Sequence, residues 1–214
     1  MAGRLFAAAR AAGCEPGTRF RSGRPSGGVG IGVFCHRQSG AGRLHFRGVS
    51  VNIFFLDRDP GTAARLHSDQ HVVKMVLETA QILCAVLFRH GIAAPYKPTH
   101  ARHPCVLWTG DSLSHWRWVR RLGTELGAEY TYRRDRVHAS ATVIAALPES
   151  PAIPDLGWRD PPQAMPDAYR DADAVAAYRA YYAAEKSHFA GKGPATWTRR
   201  PRPVFMTEGG DGVR

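Results

Sequence analysis

The chain has 214 residues, 44 % hydrophobic and 22 % charged, with a formal net charge of +11. That length allows one domain with a sizeable core, or one domain and a long tail. The charge is uneven: residues 1–50 carry eight Arg, no Lys and one acid, Glu15, and residues 51–214 carry 21 basic and 17 acidic side chains. The folded part is thus only mildly basic, which suits a phosphate-bearing partner without demanding one. There is no signal-peptide pattern, and no apolar run of membrane-spanning length stands out. Cys14, Cys35, Cys84 and Cys105 show no paired spacing, which points to free thiols in a reducing cytoplasm.

Residues 1–50 hold half of the 22 glycines and one short apolar stretch, Val29 to Phe34. Such a composition buries too little surface to offset ordering, so this segment is expected to be disordered. Three origins compete: a basic tail, a transit peptide, or translated leader upstream of the true start. The last is favoured, because patterned sequence begins at Asn52 and Val51 is compatible with a GTG start codon. The helical domain is then 51–206, with a flexible tail at 207–214.

Residues 52–56 form a short apolar stretch, either a strand or an extended arm. Asp59-Pro60 is a helix start, a capping carboxylate followed by Pro at the first position. The helical pattern continues to Arg89, with a kink near Ser68-Asp69, and Gly91 ends it. Residues 91–103 read as a loop. Pro104 opens a second long helix to about Arg134, whose apolar positions include Leu113, Trp116, Val119, Leu122, Leu126 and Tyr130. Gly110, Gly123 and Gly127 weaken it or mark close packing. A short helix is expected within 137–147. Residues 148–171 contain six prolines and read as a long ordered loop, a kind of segment that is often functional. A third helix is expected over about 172–190, with Val175, Tyr178, Tyr182 and Phe189 on one face, before a tail carrying Trp197, Arg199, Arg200 and Arg202. The fold class is all-α, with three main helices, long connecting loops and a disordered N-terminal tail.

One stripe stands out. At 100° per residue, His67, His71, Lys74, Glu78 and Gln81 fall within about 80° of each other, while Val73, Val76, Leu77, Ala80 and Leu87 point away. A carboxylate held beside a Lys and a His moves protons near neutral pH when its surroundings tune it. The plainer alternative is a solvated face with an i,i+4 Lys–Glu pair. Four histidines, His67, His71, His100 and His103, could pair up around zinc, but no Cys pair or HExxH pattern supports this, and no metal or cofactor is expected. His103-Pro104-Cys105 shapes a helix start, and Cys105 lacks the signature of a nucleophile.

Aromatic and basic residues interleave from Trp108 through Trp116, Arg117, Trp118, Arg120 and Arg121 to Tyr130, Tyr132, Arg133, Arg134 and Arg136. Arginines grip phosphates and aromatics stack on bases, so Arg117, Arg120, Arg121, Arg134, Arg199 and Arg200 are candidate nucleic-acid contacts. The competing reading makes Trp116 and Tyr130 core and the arginines solubilising. Candidate substrate-binding residues are Asp69, Lys97, His100, His103, Tyr130, Arg133, His138, Gln163 and Lys186.

Asp69-Gln70-His71, followed seven residues after the His by Glu78, resembles the first helix of pyrimidine-dimer DNA glycosylases of the endonuclease V type. The resemblance implies a small all-α protein acting on DNA. It implies Glu78 as the catalytic carboxylate, His71 as the matching His, and an α-amine at Asn52, or at the initiator at 51, as the nucleophile that forms a Schiff base with C1′. Thr196-Trp197 followed by basic residues is similar to that family's C-terminal tail. The chain departs from the family pattern at Ile53, Leu77 and Gln81, where those glycosylases place arginines. It also resembles a group of phage and bacterial proteins of unassigned function through residues 52–57, 69–78, 96–104, 129–133 and 163–166. The leading expectation is a monomeric DNA N-glycosylase/lyase with Asn52, His71, Lys74 and Glu78 as its catalytic group. The alternatives are an enzyme acting on a free nucleotide or modified base, and a non-catalytic nucleic-acid binder.

Overall fold

The computed structural model describes residues 51–207. The expectations for residues 1–50, including Cys14 and Cys35, and for 208–214 lie outside the described residues. The described chain is mostly helical, as composition and periodicity imply. The count differs, however: six α-helices replace three, because each long pattern is broken once and a short helix stands alone.

The first pattern divides into α1 (Pro60–Leu66) and α2 (Asp69–Arg89). The Asp59 carboxylate accepts from the Thr62 amide at 2.7 Å, the cap that the sequence predicts. His67 and Ser68 are extended, so the last carbonyls of α1 lose their helical partners. Three distant donors replace them. The Arg133 guanidinium reaches the carbonyls of His67 and Arg65 at 2.9 and 3.0 Å, and the Trp197 indole reaches that of Leu66 at 3.0 Å.

The second pattern divides at Ser112 into α3 (Pro104–Asp111) and α4 (Leu113–Arg134). Here the six-proline loop sutures the break. The Pro154 carbonyl accepts from the Leu113 amide, and the Ser112 hydroxyl donates to Asp155 and accepts from the Leu156 amide. Buried indoles hold the same loop, whose one regular turn is a 3-10 helix at Asp167–Tyr169: Trp116 donates to the Pro148 carbonyl and Trp108 to that of Arg159. Helix α5 (Ala139–Ala146) falls inside the predicted 137–147.

The third helix, α6 (Ala174–Glu185), is shorter than predicted. A two-stranded hairpin follows, β1 (His188–Phe189) antiparallel to β2 (Gly193–Pro194), turning through Gly191 and Gly193 at φ of 74° and 75°. Phe189, expected on a helix face, is half-buried on a strand and meets the His71 ring.

Helix α2 is the central element, packed by α3, α4 and α5. It is long and apolar enough to cross a membrane by length and composition, contrary to the sequence reading, yet 72 % of that stretch is buried against the fold, as in a core helix. Gly123 is where α4 touches it: a Cβ there would lie 2.7 Å from Thr79 Cγ2 and 2.8 Å from Ile144 Cδ1. Gly123→Ala gains about 1 kcal/mol of helix propensity and loses about 2–3 kcal/mol to overpacking. A net destabilisation of about 1–2 kcal/mol is expected in urea titration, and an unchanged or stabilised protein would show that α2 and α4 separate readily.

Candidate active site

The stripe on α2 faces inward. His67, His71 and Glu78 are buried, whereas Val73 and Leu77, expected in the core, are 39 % and 40 % exposed. The correction has a simple cause. Residues 51–56 run as an extended arm with Val51, Ile53, Phe54, Phe55 and Leu56 all buried, and this arm and α6 cover the polar stripe.

Glu78 is 3 % exposed and is flanked by two nitrogens. The Asn52 backbone nitrogen donates to Oε2 at 3.2 Å, and Lys74 Nζ lies 2.9 Å from Oε1. The Lys74 contact is an ion pair out of line for a hydrogen bond, so Oε1 is buried without an aligned donor. The Lys74 side chain is 48 % exposed, so the ion pair ties the buried carboxylate to a lysine at the surface. Asn52 Oδ1 accepts from its neighbour's amide, Ile53 N, at 2.8 Å, and from the Cys105 thiol at 3.5 Å.

His71 sits two turns away from Glu78 in an aromatic cage. Its ring stacks on Phe54 at 4.7 Å and meets Phe189 edge-on at 5.0 Å, and Nδ1 lies 2.6 Å from the Tyr182 hydroxyl. The same hydroxyl accepts from the Ser68 amide. Burial, then the nearby His67, Lys74 and Lys186, drive the His71 pKa down to about 2. The ring is therefore neutral here. Lys186 lies over the Tyr181 ring at 5.0 Å.

His67 Nδ1 donates to the Ala63 carbonyl at 2.7 Å, while Nε2 is buried without a partner. Burial takes its pKa from 6.5 to about 4. The unfolded chain therefore binds a proton, between these values, that the folded chain refuses. Stability contributed by His67 is full above pH 6.5 and is lost as pH falls towards 4. Between pH 7.5 and pH 5 the expected loss is on the order of 2 kcal/mol per buried histidine. Urea titrations at the two pH values check this. His67→Leu should lessen the loss by about 2 kcal/mol and leave the share of His71, and an equally steep dependence in that variant would assign it elsewhere.

Asp69 and Arg133, expected to bind substrate, are consumed by the fold. Asp69 accepts from the Thr196 hydroxyl, the Thr198 amide and hydroxyl, and Arg133 at 3.0 Å. Burial raises its pKa, but these hydrogen bonds outweigh burial and leave it lowered. Arg133 also holds Glu129 at 2.7 Å, and Arg200 grips the same carboxylate with two bonds of 2.9 Å. Arg199 pairs with Asp135, and Arg121 with Glu125. Arg120 pairs with Glu149, and Arg117 donates to Ser150. Arg134 is exposed. The interleaved pattern therefore divides: its tryptophans and Arg133 are buried, while Arg117, Arg121, Arg134 and Arg136 are exposed.

Gln163 clamps its own loop, bonding Asp171 through both amide atoms. His138 caps α5, hydrogen-bonds the backbone at Val73, and lies edge-on to Tyr130 at 4.9 Å. His103 caps α3 by accepting from the Cys105 amide, as the sequence predicts. Lys97 and His100 are exposed on the 91–103 loop, where His100 adopts a left-handed φ of 51°. The four histidines do not converge: among the described residues no group of three or more His, Cys, Asp or Glu is placed to hold a metal. Sequence reasoning missed Phe54, Tyr178 and Tyr182 as parts of the site. The inward aromatic face of α6 was visible, but not what it faced.

Burial pushes the Cys105 thiol up to about 12, which favours its protonated form. A cleft of about 350 Å³ lies along α3 from Pro104 to Asp111 against residues 159–162, and neither Glu78 nor Lys74 lines it. No family model, curated protein or solved structure matches this chain.

Proposed function

We propose that this protein is an enzyme acting on a nucleic-acid base, most concretely a DNA N-glycosylase/lyase that uses an amine nucleophile with Glu78 as acid–base group. The observation that carries the reading is the Asn52 nitrogen at 3.2 Å from Glu78 Oε2. The residues that the glycosylase resemblance pairs lie 26 positions apart in sequence and meet in the fold. In a chain begun at codon 51, loss of the initiator frees that nitrogen as an α-amine. The amine attacks C1′ of the nucleotide, the bond from C1′ to the base breaks with its electron pair leaving on the base, and Glu78 takes the proton that the attacking nitrogen sheds. Lys74, half-exposed beside the carboxylate, meets the sugar-phosphate. A lesion that weakens stacking lowers the cost of exposing C1′, which amounts to a few kcal/mol for an intact pair. On this reading the protein is a cytoplasmic monomer whose partner is DNA.

A second reading, the same chemistry on a free nucleotide or modified base, is favoured by one observation: Arg133 and Arg200 spend their charge on the buried Asp69 and Glu129. Salt dependence separates the two. Release of base from an ultraviolet-irradiated duplex, weakening steeply between 50 and 200 mM salt, supports the glycosylase. Turnover of mononucleotides without duplex binding supports the second reading.

A further inference from the structure

We propose that Cys105 is a positioning residue that aims the nitrogen of residue 52 at Glu78. The inference rests on the reading of Asn52 and Glu78 given above. Cys105 is the second residue of α3, fully buried, and the helix start His103-Pro104 turns its side chain inward. Its sulfur lies 3.5 Å from Asn52 Oδ1, and Ile53 and the Tyr178 hydroxyl are also within its hydrogen-bonding reach. The Tyr178 hydroxyl in turn donates to the Pro162 carbonyl at 2.7 Å.

A chain of contacts thus runs from the proline-rich loop through Tyr178 and Cys105 to the asparagine. The thiol stays protonated in this apolar setting and is therefore a hydrogen-bond donor. Asn52 Oδ1 receives two donors, one from its own chain neighbour and one from α3. Two contacts on one oxygen fix the side-chain rotamer, and with it the direction of the backbone nitrogen. The arm at this point has no β-sheet partner, so the ladder that would normally hold an extended segment in register is missing among the described residues. The thiol takes over part of that task.

The test uses the full ¹⁵N-labelled chain and amide hydrogen exchange. In Cys105→Ala the Asn52 amide is expected to exchange at least tenfold faster, while the amides of Leu122 and Leu126 in α4 keep their wild-type rates. Cys105→Ser restores a donor and is expected to bring Asn52 back to within about threefold of wild type. An unchanged Asn52 rate in Cys105→Ala overturns the proposal, as does an equal acceleration of Asn52 and the α4 amides, which marks a merely structural thiol. In the chain begun at codon 51, the same alanine variant is expected to lower kcat about tenfold at unchanged KM. A wild type without base-releasing activity defeats the glycosylase reading and leaves the exchange result to decide the positioning role.

Discussion

Glu78→Gln is expected to fold normally and to lose base-releasing activity by about 10²–10⁴-fold, the range set by a positioned acid–base group. Glutamine keeps an amide oxygen to accept from the Asn52 nitrogen, so the arm has no reason to move. What disappears is the site that receives a proton. The ion pair with Lys74 is also lost, but that lysine is half-exposed, and such a pair is worth about 1 kcal/mol or less. Removing a buried charge with no aligned donor on Oε1 offsets part of that loss. The melting temperature should therefore stay within a few degrees while turnover collapses. A variant that retains half of the wild-type rate would reduce Glu78 to an anchor for the arm.

Arg133→Met is expected to cost about 3–5 kcal/mol in urea titration, the penalty for removing one partner of a buried charge network. Arg133 is 3 % exposed and sits between Asp69 and Glu129, which are 3 % and 4 % exposed. Its guanidinium also satisfies two carbonyls at the break between α1 and α2. Methionine fills the volume and supplies no donor. Glu129 keeps Arg200, and Asp69 keeps the two threonines, so the loss is large but not total.

The pH dependence carries the same signature. Both carboxylates have lowered pKa values, Glu129 because Arg200 and Arg133 outweigh the effect of burial. Their contribution is full above the ordinary carboxylate range and is lost as pH falls through their folded values. Without Arg133 those values rise, so acid unfolding should begin at higher pH. A loss below 1 kcal/mol would mean that the network is no net support for the fold.

The sequence marks some features through local chemistry alone. Asp59-Pro60 and His103-Pro104 announce helix starts because capping and proline act within three residues. The six prolines of 148–171 disfavour a long α-helix or a central strand for the same local reason, and only a 3-10 turn at Asp167–Tyr169 forms there. Ser112 is different. It breaks a continuous helical pattern because Pro154 and Asp155, some forty residues on, supply the competing partners. Val73 and Leu77 show the limit of periodicity. It separates two faces of α2 but does not say which is covered, and the arm with Phe54 covers the one carrying His71 and Glu78. The arginines show it again. The spacing of Arg133 and Arg200 is the same whether they face a phosphate or a carboxylate, and only the fold brings Asp69 and Glu129 to them. The Asn52–Glu78 meeting was implied by resemblance, not by pattern.

The central claim is that a nitrogen flanking Glu78 attacks the sugar of a damaged nucleotide. Reductive trapping tests it most directly. The chain begun at codon 51 is mixed with an ultraviolet-irradiated duplex oligonucleotide, borohydride is added, and the product is digested and mapped by mass spectrometry. The account predicts a covalent protein–DNA adduct on the N-terminal amine of the arm or on Lys74, absent from Glu78→Gln. A folded protein that forms no adduct and releases no base, or one trapped at a nitrogen far from Glu78, would contradict it.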